Sequence, residues 1–164
     1  MKRALMAVAT GGSALAALLG CSGGGQEPST PKALFDPCTG VTADALQKAG
    51  ADPATKEAAG AASAGWQTCE WTAATAYLRV YSTSRTLGEF ESESGTTAFT
   101  DYVVAGRTGR RLGGAPTPGS CDVLFAAEQG VIRLVVVNSP AQHSADACAT
   151  LRQMGESIVP TFPA

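Results

Sequence analysis

The sequence predicts an α+β domain, an antiparallel sheet with helices packed on it and two disulfides. Three observations lead there. Strand-like segments come in pairs separated by short turns, the pattern of hairpins. Helical segments with caps and stops stand before, between and after those pairs, rather than alternating with single strands as a parallel sheet requires. Four of the five cysteines fall within this region and are spread along it.

In chain order, Asp36-Pro37-Cys38 reads as extended, because proline disfavours helical backbone in the residue before it. Thr42 is placed to cap a short helix over 43–49, with Asp44 in its first turn and Gly50 as its stop. The stretch 51–65 is rich in Ala and Gly and reads as a loop. Strands at 66–72 and 77–83 form a hairpin across Ala73-Ala74-Thr75. Thr86-Leu87-Gly88-Glu89 is a capping-box pattern that opens a helix to about residue 94.

Strands over 100–104 and 107–112 break at Ala105-Gly106, and 113–119 is an exposed turn. The clearest hairpin pairs 122–127 with 131–138, turning at Gln129-Gly130. Residues 131–137 are nearly all apolar and β-branched, which marks a central strand covered on both faces. Ser144 is placed to cap a last helix reaching about residue 158, with Asp146 in its first turn and Pro160 ending it.

The segment before this domain reads as an address. Lys2 and Arg3 precede an uncharged Ala- and Leu-rich run over 4–19, the layout of an export signal and too short to span a bilayer. Its end, Leu18-Leu19-Gly20-Cys21, resembles the bacterial lipobox. That resemblance implies a signal peptide over 1–20, a diacylglyceryl group on Cys21, and a protein held on the extracytoplasmic face of the cell membrane. Two acyl chains suffice for stable anchoring at about 0.8 kcal/mol per buried methylene. Residues 22–33, with Gly, Ser and Pro and no apolar period, read as a flexible tether. The domain proper is then 34–164.

With 12 Lys+Arg against 14 Asp+Glu and a pI near 5.3, the chain lacks the basic face of a nucleic-acid binder. Removing Lys2 and Arg3 with the signal takes the formal charge to −4, so no polybasic membrane contact is expected. The 45% hydrophobic content leans on Ala, which buries little surface, so the core is thin and gains from covalent support.

Cys38, Cys69, Cys121 and Cys148 supply that support. An even number of cysteines in an exported chain argues for two disulfides, with three connectivities open. All four can face inward, so facing does not choose among them. Proximity in sequence favours Cys38 with Cys69 and Cys121 with Cys148, each closing a loop of roughly 30 residues and contributing about 3–4 kcal/mol in the chain-entropy model. A zinc site fits less well, since the spacings are long and no paired histidines exist.

Together, the lipobox Cys, the tether, Phe35-Asp36-Pro37-Cys38 before a short helix, Cys69-Glu70-Trp71, Cys121-Asp122-Val123 and a Cys opening the last helix resemble the actinobacterial lipoproteins known as domain of unknown function 3558. The resemblance covers roughly 34–160. It implies a lipid-anchored extracytoplasmic domain and transfers no catalytic residue.

No catalytic constellation emerges from the residues. His143, the single histidine, sits in a polar loop, where a triad base would need a supported position. Glu89, Glu91 and Glu93 read as a solvated face, since a two-carboxylate mechanism needs acids opposed across a cleft. No cofactor or metal is implied. Two sets of residues could meet a ligand: the aromatic cluster Trp66, Trp71, Tyr77 and Tyr81 on the first hairpin, and the basic run Arg107, Arg110 and Arg111. The expected function is a non-catalytic binding or accessory domain at the cell envelope, its partner an envelope protein, polysaccharide or lipid. The alternative is a carrier of a lipid or other apolar small molecule, and a hydrolase stands third.

Overall fold

The computed structural model describes residues 33–58, 65–93, 99–114, 117–142 and 144–164. Cys21, the expected signal segment, the expected tether up to residue 32 and His143 lie outside the described residues. The described chain forms one six-stranded antiparallel sheet with four α-helices. The strands are β1 (Trp66–Thr72), β2 (Ala76–Thr83), β3 (Phe99–Val104), β4 (Arg107–Leu112), β5 (Ser120–Ala127) and β6 (Gly130–Asn138). The helices are α1 (Pro37–Gly40), α2 (Ala43–Lys48), α3 (Leu87–Glu93) and α4 (Ala147–Ile158).

Across the sheet the order is β1-β2-β6-β5-β4-β3. The apolar strand β6 therefore lies in the middle, paired with β2 over Ala76↔Asn138 to Thr83↔Val131 and with β5 over Ser120↔Val137 to Ala127↔Gly130. The outer hairpin of β3 and β4 turns through Ala105 and Gly106, both at positive φ (49° and 75°), the geometry of a two-residue turn whose twist suits the strands.

Strand alternation assigns each residue a face. On one face, Cys69, Trp71, Leu78, Val80, Val123, Phe125, Ile132, Leu134, Val136 and Val104 form the core. The helix α4 lies over it with Ala147, Leu151, Met154, Gly155 and Ile158 buried along one stripe. Gly155 permits the close approach: a Cβ there would come within 2.5 Å of Val104 Cγ1. The helices α1 and α2 complete this layer, and Ser157 Oγ donates to the Ala45 carbonyl at 3.0 Å to join α4 to α2.

Four local readings are corrected. Asp36-Pro37-Cys38 does not continue extended. Asp36 alone is extended and caps α1, with Pro37 in the first turn, where a missing N–H costs nothing. The segment after Gly50 is more ordered than a loop. Its described part forms a 3₁₀ turn at Pro53–Thr55 and bridges Ala51↔Ala73 and Glu57↔Glu70, covering the outer edge of β1. The cap of α4 is Asp146, whose carboxylate accepts from the Cys148 N–H at 2.9 Å, whereas Ser144 lies in the preceding turn. At the β5–β6 hairpin Gly130 is already paired with Ala127, so the tip is Glu128-Gln129.

Two disulfides pin the helical layer to the sheet. Cys38 in α1 joins Cys69 in β1 with Cα atoms 5.2 Å apart, and Cys148 in α4 joins Cys121 in β5 at 4.9 Å. No helix among the described residues is long and apolar enough to cross a membrane.

Candidate functional site

The opposite face of the sheet is built differently. Its residues are Trp66, Thr68 and Glu70 of β1, Tyr77, Arg79 and Tyr81 of β2, Val131, Arg133 and Val135 of β6, and Asp122 and Leu124 of β5, as the pairing register requires. Among the described residues a single short helix, α3, covers part of it. A reciprocal capping box holds α3: the Thr86 N–H donates to Glu89 Oε2 at 2.6 Å, and the Glu89 N–H to Thr86 Oγ1 at 3.4 Å. Those hydrogen bonds to Thr86 hold the Glu89 carboxyl below its ordinary range, with a smaller contribution from the charge of Arg85.

From α3, Phe90 reaches down to Trp66, their rings 5.6 Å apart, and Trp66 meets Tyr81 edge-on at 5.9 Å. Guanidinium groups close both ends of this aromatic row. Arg85 lies 4.3 Å from the Phe90 ring centre and Arg133 lies 5.2 Å from that of Tyr81.

Arg133 also grips Asp122 with a two-pronged ion pair, Nε to both carboxylate oxygens at 2.9 Å and Nη2 to Oδ2. The Asp122 side chain is 1% exposed and that of Arg133 29%. Burial pulls the Arg133 guanidinium downward in pKa, but hydrogen bonding and charge from Asp122, with Tyr81 adding to them, more than offset this, so the net shift is upward. Between this pair and α3 lies a cleft of about 130 Å³ lined by Phe90, Phe99, Leu112, Leu124, Asp122 and Arg133. It falls below the roughly 300–1,000 Å³ of small-molecule sites, and suits the tip of a protruding group better than a whole ligand.

The two sets of residues singled out from sequence are divided by the pleat. Trp66, Tyr77 and Tyr81 share the α3 face, with Tyr77 37% exposed at the far end. Trp71 does not belong with them. It alternates to the core face, lies fully buried, and is removed from the candidate surface. The basic run divides in the same way. Arg110 is on the α3 face, donating from Nε to Glu91 at 2.6 Å and from Nη1 to Asp101, so it ties α3 to the β3–β4 hairpin. Those same hydrogen bonds, Asp101 first, raise its pKa.

Arg107 and Arg111 point to the helical side. Arg107 donates to the carbonyls of Pro163 and Ala126, and burial lowers its pKa. Arg111 lies beside the Cys121–Cys148 disulfide, its Nη1 4.0 Å from Cys148 Sγ. The three arginines are thus not one patch.

Sequence reasoning missed Asp122, Arg133 and Phe90. A signal for the first two was present: one acid and one base, each alone in an otherwise apolar strand of the same hairpin. The register places Asp122 opposite Val135 and Leu124 opposite Arg133, which makes the two charges diagonal neighbours on one face. Among the described residues no group of His, Cys, Asp or Glu is arranged to hold a metal ion.

The sheet, its helical layer and its cystine pairs define a disulfide-linked α+β domain with one closed face and one partly open face. The chain belongs to the family described as "Protein of unknown function (DUF3558)", whose model matches residues 16–161. No curated protein and no solved structure matches it.

Proposed function

We propose that this chain is a lipid-anchored, non-catalytic binding domain on the extracytoplasmic face of the membrane, and that it engages an envelope partner through the α3 face of the sheet. The observation that carries the reading is the row Arg85–Phe90–Trp66–Tyr81–Arg133. Three aromatic rings in a row, with a guanidinium group at each end, lie beside a small cleft on the sheet face away from most of the helices. Aromatic and arginine side chains carry most of the energy at recognition surfaces. The lipobox at Cys21 and the tether supply the other half of the proposal, a domain lifted from the bilayer toward a partner in the envelope. The carrier alternative needs space between sheet and helices. There, Leu134, Phe125, Leu151 and Ile158 are fully buried and Gly155 is closed over by Val104, so among the described residues that reading draws on open clefts such as the one of about 190 Å³ between Trp71 and helices α1 and α2.

The test is chemical crosslinking in the host, followed by native and denaturing mass spectrometry of the full chain released from its membranes. The denatured mass reads the acyl groups on Cys21 and the four-hydrogen deficit of two disulfides. Tyr81→Ala and Trp66→Ala are expected to lose the crosslinked partner while the far-ultraviolet spectrum is kept. Undiminished crosslinking by both variants rejects this face as the binding surface, and a persistent small-molecule adduct on the native protein moves the assignment to the carrier.

A further inference from the structure

The two disulfides have the same construction up to a point. In each, an aspartate caps a helix and accepts the N–H of a cysteine two residues on, Asp36 to Cys38 at 2.9 Å and Asp146 to Cys148 at 2.9 Å. In each, that half-buried cysteine is bonded to a buried strand cysteine on the core face, Cys69 or Cys121. The sequence separations, 31 and 27, are so close that loop entropy does not distinguish them.

Their surroundings do. Cys38 opens a helix of four residues, and its sulfur faces the carbonyl oxygen of Thr68 at 3.8 Å, a negative partial charge. Cys148 opens a helix of twelve residues, and its sulfur faces the guanidinium of Arg111 at 4.0 Å. Arg111 has no carboxylate partner among the described residues, and its buried Nε makes no hydrogen bond there. A cleft of about 220 Å³, whose lining includes Arg111, Gly114, Ser120, Cys121, Asp122 and Cys148, leads to this disulfide from outside. Asp122, which lines the same cleft, is committed to Arg133, and Asp146 to the helix cap, as Asp36 is at Cys38.

A cation and a helix N-terminus beside a sulfur stabilise its thiolate, and stabilising the thiolate makes the disulfide easier to reduce and a better oxidant. From these contrasts we infer that Cys121–Cys148 is an exchange-active disulfide that oxidises a dithiol once per molecule, a step beyond the binding role proposed above that takes from it only the extracytoplasmic location of the dithiol, and that Cys38–Cys69 is structural. A thiolate of the dithiol attacks Cys148 Sγ, the half-buried sulfur. The bond to Cys121 breaks and Cys121 leaves as a thiolate, which takes a proton from solvent. The second thiol of the reductant, after losing its proton, attacks the reductant's own sulfur in the mixed disulfide, and Cys148 departs as a thiolate beside Arg111. Two electrons pass to the protein and the dithiol becomes a disulfide. Of the two protons it gives up, one is balanced at Cys121 and one goes to solvent. Arg111 is a positioning residue for this step, acting on the Cys148 sulfur.

The experiment uses the full chain in detergent, equilibrated with graded dithiothreitol under native conditions, trapped with an alkylating reagent and read by peptide mass spectrometry. Cys121 and Cys148 are expected to be alkylated at on the order of tenfold less reductant than Cys38 and Cys69, equivalent to ~30 mV, with tryptophan fluorescence still native. Arg111→Gln is expected to narrow that gap, and Arg111→Lys to preserve it. Reduction of both pairs together, or of Cys121–Cys148 only after the fluorescence signals unfolding, overturns the inference without reliance on any variant. An unchanged gap in a folded Arg111→Gln protein removes Arg111 from it.

Discussion

The same six strands build two unlike faces. On the helical side, burial is continuous from β1 to β5: the side chains interdigitate, the polar groups are few, and Gly155 lets α4 settle against β3. On the α3 side, apolar residues are interrupted by Glu70–Arg79, Asp122–Arg133 and Arg110 with its two acids. A helix of seven residues covers only part of it. The difference teaches that one continuously apolar face is joined here to a second face that buries Leu124, Val131 and Val135 at its centre and carries aromatic and charged groups in fixed places around them.

The sharpest way to break this comparison is within one strand. Leu134 and Val137 of β6 point to opposite faces three residues apart. Leu134→Ala should cost about 3 kcal/mol, as deletions in a closed core do, and Val137→Ala less than about 1 kcal/mol at its half-buried position. Urea denaturation of the two variants measures this, and equal losses would mean that the faces are not energetically distinct.

The second effect comes from a buried ion pair on the α3 face. Asp122→Ala leaves Arg133 partly buried without its partner and should cost about 3 kcal/mol. The paired replacement Asp122→Leu with Arg133→Met should restore most of that, because it removes both charges and keeps the volume. If the double variant is as unstable as the single one, the pair is needed for reasons other than its own neutralisation.

The smallest effect is one of pH. Glu89 is held below its ordinary range by its bonds to Thr86, so its contribution to α3 is complete above the unfolded glutamate value and fades as pH falls through the lowered folded value. Acidification should therefore loosen Phe90 from Trp66 before it disturbs the helical face. Amide signals of Thr86 and Glu89 followed by NMR should titrate together while the core-face Trp71 indole stays unchanged, and Glu89→Gln should remove that acid phase.

Much of the fold was legible because its signals are local. Strand-like segments paired across short turns marked all six strands, the Thr86–Glu89 box marked α3, and the apolar run of β6 marked the centre of the sheet. The short helix α1 was not legible, because Pro37 serves equally as an extended residue or as the first residue of a helix, and only the Asp36 cap decides. The site was less readable for a geometric reason. Trp66 and Trp71 are five residues apart, an odd number in a strand, so they face opposite ways and cannot share a surface. The same parity separates Arg110 from Arg111. Phe90 met Trp66 only through tertiary packing, which no local pattern encodes.

The strand order has a kinetic consequence. The first hairpin, β1 and β2, finds its neighbour β6 only after the remaining strands and turns have been made, across a pairing that joins Ala76 to Asn138. By contrast, β5 and β6 meet across a two-residue tip, so their hairpin can nucleate early and present the edge on which β2 docks. Until then the inner edge of β2 is an unsaturated ladder beside apolar side chains, the kind of surface that recruits another unfinished chain. A chain that ends before β6 thus lacks more than its last strand: it lacks the template that joins its two halves into one sheet.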